Sequence, residues 1–564
     1  MPIRRWEGWY IPALLVTGCY FFFWKLGSPA LYDLDEGGYA EIAREMLVVK
    51  DWIVPRLDFV RLLDKPPLLY WLTALSYQIF GISEFAARLP VAASAFGCMM
   101  LCYRIGRKFF NRLTGFLSAL IFVTSAGTFV FDFGRQLLPD MVFTFFLTAA
   151  FDGLLSGYFT PEKRRRYFLA GYAAMGLAVM TKGLIGLVFP FLAVAGYLVL
   201  TRDFQWIKEL HLIRGTALFL LLILPWPLIV ELKSPGFLKF YLLDVHILRF
   251  FHQGMIASNG ASLPLWAFWG VTALWFYPWS VFLPLAFWRD FPFRLRGLEK
   301  DDQTTLWLWM WAGSVLLFFS LSSFRLDIYS LPALPALAIL GGRYWTKAFT
   351  PRKEGKFLWE SGSASHPAKD QKSRRREVTA AVALIVLIAG GMLLASQVPT
   401  ALRQQLGREV YGMVDTDFRG YYQGLTSDAK VVSLPSWEEL ASLWILGGSI
   451  LFGGSLAAFL ATVRNRLTWA FALIVITMFP IRYCTQLGLE IFEPYTSSVS
   501  LAKTIASTLQ PGEKIVKDGR YEEIATVTFY TGRKIHLVHG LRDDLVFGSR
   551  YPEAAGTFLE EEEL

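Results

Sequence analysis

Residues 31–47, LYDLDEGGYAEIAREML, follow directly on the first long apolar run of the chain and break it with Asp33, Asp35, Glu36, Glu41, Arg44 and Glu45. On a helix, Tyr39, Ile42, Ala43, Met46 and Leu47 share one face while Glu41, Arg44 and Glu45 fall elsewhere. That pattern suits an interfacial helix lying along a membrane surface.

The rest of the chain supplies the membrane segments. Of 564 residues, 54% are hydrophobic, 16% aromatic and only 18% charged, and the mean hydropathy is +0.41, too apolar for a soluble protein of this length. Apolar runs of about 20 residues, each able to cross about 30 Å of hydrocarbon, recur along it. They cover roughly 9–26, 84–103, 114–133, 138–158, 166–181, 184–200, 215–231, 263–288, 304–321, 328–345, 378–396, 441–462 and 467–485, about thirteen spans. The expected fold is an all-α polytopic membrane protein with outer-surface interfacial helices, the second of them after DKPPLLYWLTALSYQIFG, and a small C-terminal extracytoplasmic α/β domain.

Net charge of +9 calls for no nucleic acid partner. The basic residues cluster in loops beside apolar runs, at Arg104 to Arg112, Lys163 to Arg166, Arg202 to Arg214, Arg294 to Arg296 and Lys347 to Arg376, where the positive-inside rule puts them in the cytoplasm. The N-terminus is then inside, the first run is a retained helix rather than a signal peptide, and the outer segments are 27–83, 134–137, 232–262, 322–327, 397–440 and 486–564. Four domains are expected: a transmembrane module 1–345 including the first outer loop 27–83, a flexible cytoplasmic linker 346–377, distal helices 378–485 with an outer loop 397–440, and the outer domain 486–564. In that last part SSVSLAKTIASTL has helical periodicity, while KIVKDG, TVTFYTG and KIHLVHG read as strands ended by Gly. Cys19, Cys98, Cys102 and Cys484 lie in apolar runs, with neither a disulfide framework nor zinc-type spacing.

The chemistry-bearing residues collect on the outer side. Asp35 and Glu36 have two readings: helix capping, or a general base or metal ligand at the membrane surface. Asp64 and Lys65 before Pro66 and Pro67 mark either a helix boundary or a lysine fixed for a lipid phosphate. Asp140 either caps its span or acts in a site, and Lys182 either snorkels or does so. His246 and Arg249 are neighbours if their segment is helical, and Arg325 and Tyr329 stand at the outer end of another span. Carboxylates and cations drawn from distant segments to one face are what a site needs to hold an anionic lipid-linked sugar and move the sugar to an acceptor. A lipid-phosphate transporter or flippase would use similar charges, but the chain shows no matched repeat of the kind transporters carry.

DEGGYAEIAREM resembles the first-loop Asp-Glu motif of the GT-C class of polyprenyl-phosphate-dependent glycosyltransferases, in the branch of the lipid A aminoarabinose transferases and protein O-mannosyltransferases. DKPPLLYW, RQLLPDMVFTFFL, GLAVMTKG, PGFLKF with HILRF, and FSLSSFRLDIYSLPALPAL follow in that family's order. The resemblance implies that Asp35 is the essential acid, with Glu36 and Asp140 also catalytic. It implies that Lys65 and Arg249 contact the donor phosphate with Tyr329 near it, that Tyr39, Lys182 and Arg325 line the substrate site, and that Asp64 and His246 can hold a divalent metal ion. The implied function is a bacterial inner-membrane glycosyltransferase with its site facing the periplasm. Its partners would be an undecaprenyl-phosphate-sugar donor and an acceptor that is lipid A or another envelope glycolipid, or alternatively protein.

Overall fold

Crossing about 30 Å of hydrocarbon at about 1.5 Å per residue takes about 20 helical residues. A computed structural model describes residues 7–33, 35–248, 262–349, 367–397, 437–541, 545–560 and 562; most of the expected outer loop 397–440 and the whole of Arg249 lie outside them. Among the described residues, seven helices are long and apolar enough to span: Glu84–Phe109, Pro139–Phe159, Leu212–Lys233, Lys300–Leu321, Lys372–Ala395, Glu439–Val463 and Leu467–Thr496. Leu265–Trp275 and Trp279–Asp290, bent by 104°, make an eighth if counted as one.

The other expected spans are helical but short. Tyr10–Gly18 runs on through a wide turn Cys19–Phe23, and Arg112–Val123, Ile185–Thr201 and Leu334–Phe349 also fall below 20 residues. Arg164–Lys182 reaches 19 residues by starting with three arginines. Hydropathy locates these segments without measuring the helices in them, because apolar residues in a turn count the same as those in a helix. Of the expected linker 346–377, residues 346–349 belong to helix Leu334–Phe349 and 367–377 to helix Pro367–Gln397, and Glu377 pairs with Arg289.

The last long helix, Leu467–Thr496, continues eleven residues past its expected end. Its polar continuation grips the first outer loop: Gln486 donates to the Ser28 carbonyl (2.9 Å), Lys25 pairs with Glu490 (2.9 Å), and Glu493 accepts from the Ala30 N–H (3.0 Å). Beyond it, helix Val499–Thr508 and strands Ile515–Asp518 and Ile535–Val538 form as expected, with Phe558–Leu559 added in a parallel sheet of that order. The expected strand TVTFYTG is instead helix Ala525–Thr531. Adjacent parallel strands need a crossover connection, and this segment is it, despite its β-branched and aromatic content. Its first turn is capped from far away: Asp33 Oδ1 accepts from the Thr526 N–H (2.8 Å) and hydroxyl (2.7 Å), and Oδ2 from Ser498 (2.7 Å).

The quoted helix, Asp35–Val49, does not lie with its charges in water as an interfacial helix would. Glu36, Glu41 and Glu45 are fully buried and Arg44 nearly so: Glu36 turns into the bundle, and the C-terminal domain covers another face of the helix. The approach is close: a Cβ on Gly37 would stand 2.7 Å from Thr526 Cγ2, so only glycine fits. Under the cover, Arg44 holds Glu41 through two 2.7 Å bonds. Burial, with Glu41 beside it, pushes the Glu45 carboxyl well above the usual range. The second outer helix, Leu68–Phe80, lies within DKPPLLYWLTALSYQIFG rather than after it.

Between these helices Arg56–Leu57 and Val60–Arg61 pair as a hairpin. Its turn residues Asp58 and Phe59 both have positive φ, 53° and 65°, a geometry usually given to Asn-Gly. Contacts from two sides stabilise it: the Phe59 N–H donates to Glu45 (3.0 Å), and Asp58 Oδ1 accepts from the Ile535 N–H (2.9 Å). Burial pushes the Asp58 carboxyl up to about 8, against the Ile535 N–H and Lys534 and with Glu41 adding to it. The folded chain therefore binds more protons than the unfolded chain from about pH 4 upward, until Asp58 ionises near pH 8. Stability should fall as pH rises through that window and level off above it. Asp58→Asn keeps an acceptor for Ile535 and carries no charge, so it should flatten the slope and stabilise by roughly 1 to 3 kcal/mol at alkaline pH. Thermal unfolding across pH checks this; identical profiles for variant and parent would clear Asp58 of the titration.

Candidate active site

Asp35 opens the first outer helix and is exposed, yet protein surrounds it on several sides. Its field comes chiefly from Lys65, Asp140, Asp64 and Lys182, which brings together residues from three separate segments of the chain. Among the described residues no backbone N–H is capped by Asp35; the Tyr32 N–H bonds instead to Glu36 (3.1 Å). The desolvation of this enclosed position raises the Asp35 carboxyl above its ordinary range, Lys65 and Lys182 opposing and Asp140 and Asp64 adding to the shift.

Two lysine–carboxylate pairs flank it. Lys65 Nζ bonds Asp64 at 2.8 Å and lies 5.1 Å from the Tyr39 ring centroid, and Tyr39 stacks on Tyr70 at 5.9 Å. Lys182 pairs with the buried Asp140 and lies 4.8 Å from the Tyr329 ring centroid, and Tyr329 packs on Phe319 at 4.5 Å. Among the described residues the Asp140 carboxylate bonds to Lys182, so pairing describes it. Lys182 is set by a break in the chain: Gly183 has φ +85°, and a Cβ there would meet His246 Nε2 at 2.2 Å.

Other sequence-predicted site residues take different tasks. Glu36, expected to be catalytic, is fully buried and saturated. It accepts from Arg88 Nε (2.8 Å) and Nη2 (2.7 Å), from the Leu137 N–H (3.0 Å) and from the Tyr32 N–H. It anchors the site without facing it. Arg325 commits its guanidinium to the main-chain carbonyls of Leu263 (2.8 Å) and Ser322, tying two outer segments together instead of turning to a phosphate. Asp64 and His246 do not fit a metal centre. His246 Nδ1 donates to the Tyr241 carbonyl (2.7 Å) and Nε2 accepts from the Leu184 N–H (3.2 Å), which leaves neither ring nitrogen for a cation. Among the described residues, no three His, Cys, Asp or Glu side chains converge.

Sequence reasoning missed Arg88. An arginine inside the 26-residue apolar helix Glu84–Phe109 was a signal of the same kind as Lys182. Asp33 and Asp58 carried no such signal, since their partners lie hundreds of residues away.

The helical membrane bundle, with its acids and lysines gathered at one end beneath an α/β domain, has the GT-C fold by its likeness to a solved structure. Residues 64–229 match the family described as Dolichyl-phosphate-mannose-protein mannosyltransferase. The undecaprenyl phosphate-alpha-4-amino-4-deoxy-L-arabinose arabinosyl transferase of Enterobacter sp. (strain 638) is 32% identical over 352 residues, 61% of each chain. Arabinosyl transferase 1 of that type from Pseudomonas fluorescens (strain Pf0-1) is 30% identical over 364 residues, 63% of this chain and 61% of its own. The chain thus spans about three fifths of the length of the curated relatives it matches. The crystal structure of ArnT from Cupriavidus metallidurans bound to undecaprenyl phosphate shares the fold, with a TM-score of 0.77 over 99% of this chain and 90% of that one at 24% identity. The apo form of that protein gives 0.76.

Arg88→Met should destabilise by about 3 to 5 kcal/mol, because it strands the buried Glu36 carboxylate. Adding Glu36→Gln to it should recover part of the loss. Unfolding free energies of the parent, both single variants and the double variant give the coupling; purely additive losses would mean that the two side chains act independently.

Proposed function

We propose that the chain is a glycosyltransferase that takes a sugar from an undecaprenyl-phosphate carrier and passes it to an extracytoplasmic acceptor, lipid A or another envelope glycolipid. The observation that carries this reading is the exposed, upward-shifted carboxylate of Asp35 between two lysine–carboxylate pairs at the outer end of the bundle. The names of the relatives, arabinosyl transferases acting from undecaprenyl phosphate, support the same donor class.

In the proposed reaction an acceptor oxygen attacks the anomeric carbon from the face opposite the leaving group. The new C–O bond forms as the bond to the carrier phosphate breaks, and the electron pair leaves with undecaprenyl phosphate. Lys65 and Lys182 stabilise the charge that grows on that phosphate. Asp35 orients the acceptor and, where its oxygen is protonated, takes the proton. The carboxylates beside each lysine hold it in place before the donor arrives, and the tyrosine faces supply further attraction for the charge.

Mass spectrometry of products formed by the purified protein from undecaprenyl-phosphate-linked aminoarabinose and lipid A tests the reading; absence of any transferred sugar with this and other lipid-linked sugars would reject it. Asp35→Asn should lower turnover by roughly 10² to 10⁴ while leaving folding intact. Lys65→Met should weaken donor binding by roughly 1.5 to 3 kcal/mol. Because the Asp35 carboxyl is shifted upward, its base form develops only above the ordinary carboxylate range, and activity should rise with pH through that shifted value. An acidic limb at an ordinary aspartate pKa, or near-normal turnover of Asp35→Asn, would remove Asp35 from the reaction.

A further inference from the structure

A second apolar cluster, separate from the main core, sits at the outer end of the bundle. It joins Leu63 and Leu68 of the first loop, Met180 just before Lys182, Trp226 and Val230, and the aromatic residues Phe237, Phe240 and Tyr241. Among the described residues, Phe547 is the only fully buried side chain that the C-terminal domain sends into it. The ring of Phe547 stacks on Phe240 at 4.4 Å and 15°.

The segment receiving that ring is also held from the preceding helix, where Glu231 accepts from the Leu238 N–H (2.7 Å) and the Trp226 ring lies 6.2 Å from that of Tyr241. Phe240–Leu248 is wound in the wide i to i+5 turn, and Phe240 and Tyr241 are its only buried residues. Tyr241 in turn stacks on Phe237 at 5.2 Å, and its carbonyl accepts from His246 Nδ1, whose Nε2 accepts from the Leu184 N–H. Leu184 lies two residues past Lys182, across the Gly183 break. A continuous path of packed rings and hydrogen bonds therefore runs from Phe547 to the end of the helix that presents Lys182 to Asp140.

We propose that Phe547 is a positioning residue by which the C-terminal domain holds the Phe237–Leu248 segment, and through His246 the Lys182 end of its helix, in the form that accepts the donor phosphate. This rests on the glycosyltransferase reading and assigns the outer domain a part in it. The domain does not need Phe547 to stay docked. It is fastened separately at Asp33 to Thr526, at Asp58 to Ile535 and at Gly37, and Arg61 pairs with Glu553 at 2.6 Å. Losing the ring should free the segment and leave the domain seated.

The test uses the full chain in lipid nanodiscs, with Phe547→Ala and the conservative Phe547→Tyr. Undecaprenyl phosphate binding and hydrogen exchange are measured on both. For Phe547→Ala, donor-lipid affinity should fall about tenfold if the competent form drops to about a tenth of the population. Exchange should quicken across 237–248 and stay unchanged across 499–538, and Phe547→Tyr should match the parent in both. Parental affinity and exchange in Phe547→Ala would overturn the proposal. So would equal loosening of 499–538, which would make Phe547 an ordinary part of the domain's own packing. If the Ala variant fails to fold, Phe240→Leu removes the same stack from the other side and must give the same pattern. Should the parent itself not bind undecaprenyl phosphate, the functional reading fails, while the exchange pattern still decides whether Phe547 holds the segment.

Discussion

Arg88 and Glu36 meet in the interior, where a lone charge would be severely penalised and a pair persists only if its remaining donors and acceptors are also satisfied. Here they are. Besides its two bonds to Glu36, the guanidinium donates to the carbonyls of Pro29 (2.6 Å), Leu26 (3.3 Å) and Ala30 (3.2 Å), while the carboxylate takes the N–H of Leu137. The end of the first helix, the start of the first outer helix and the approach to Pro139–Phe159 are all referred to this one ion pair. Asp35 is the residue before Glu36 and Asp140 lies three residues after Leu137, so the spacing of these two acids is set by a contact that neither of them makes.

The two lysines of the cleft repeat one design on unrelated segments. Each is an ammonium paired with a carboxylate and lying over a tyrosine face, Lys65 with Asp64 and Tyr39, Lys182 with Asp140 and Tyr329. A flexible four-carbon side chain loses much conformational freedom when it is fixed. Here that loss is incurred during folding, so little of it remains to oppose a ligand. Each ammonium is also neutralised by a carboxylate, Asp64 for Lys65 and Asp140 for Lys182.

Much of this cleft could be read from the chain. Asp35, Lys65, Asp140, Lys182 and Tyr329 stand at the outer ends of apolar runs, and the charge of the loops orients those runs, so hydropathy alone brings them to one face. Hydropathy does not reveal which neighbour each side chain takes. Glu36 is chemically like Asp35, but one residue along a helix turns it by about 100° into the bundle, where Arg88 is. Arg325 and His246 stand at the outer ends of segments like the cleft residues, but main-chain carbonyls and N–H groups, which carry no side-chain signal in the sequence, bind them instead. The helix Ala525–Thr531 was misread for a related reason: its residues favour a strand locally, and the parallel order of the strands on either side overrides that preference.

Asp33 and Thr526 are separated by 493 positions, and Asp58 and Ile535 by 477. At about 5 to 20 residues per second, a ribosome needs roughly 25 to 100 s to make the stretch between them. Throughout that interval the first outer loop has emerged while the groups that will satisfy its buried acids do not yet exist. Closure of the first loop therefore waits on a segment made long after it: its acids Asp33 and Asp58 gain these partners only once Thr526 and Ile535 are in place. A product truncated before Val499 would leave Asp33 and Asp58 without those partners and uncover the loop that the later segment buries.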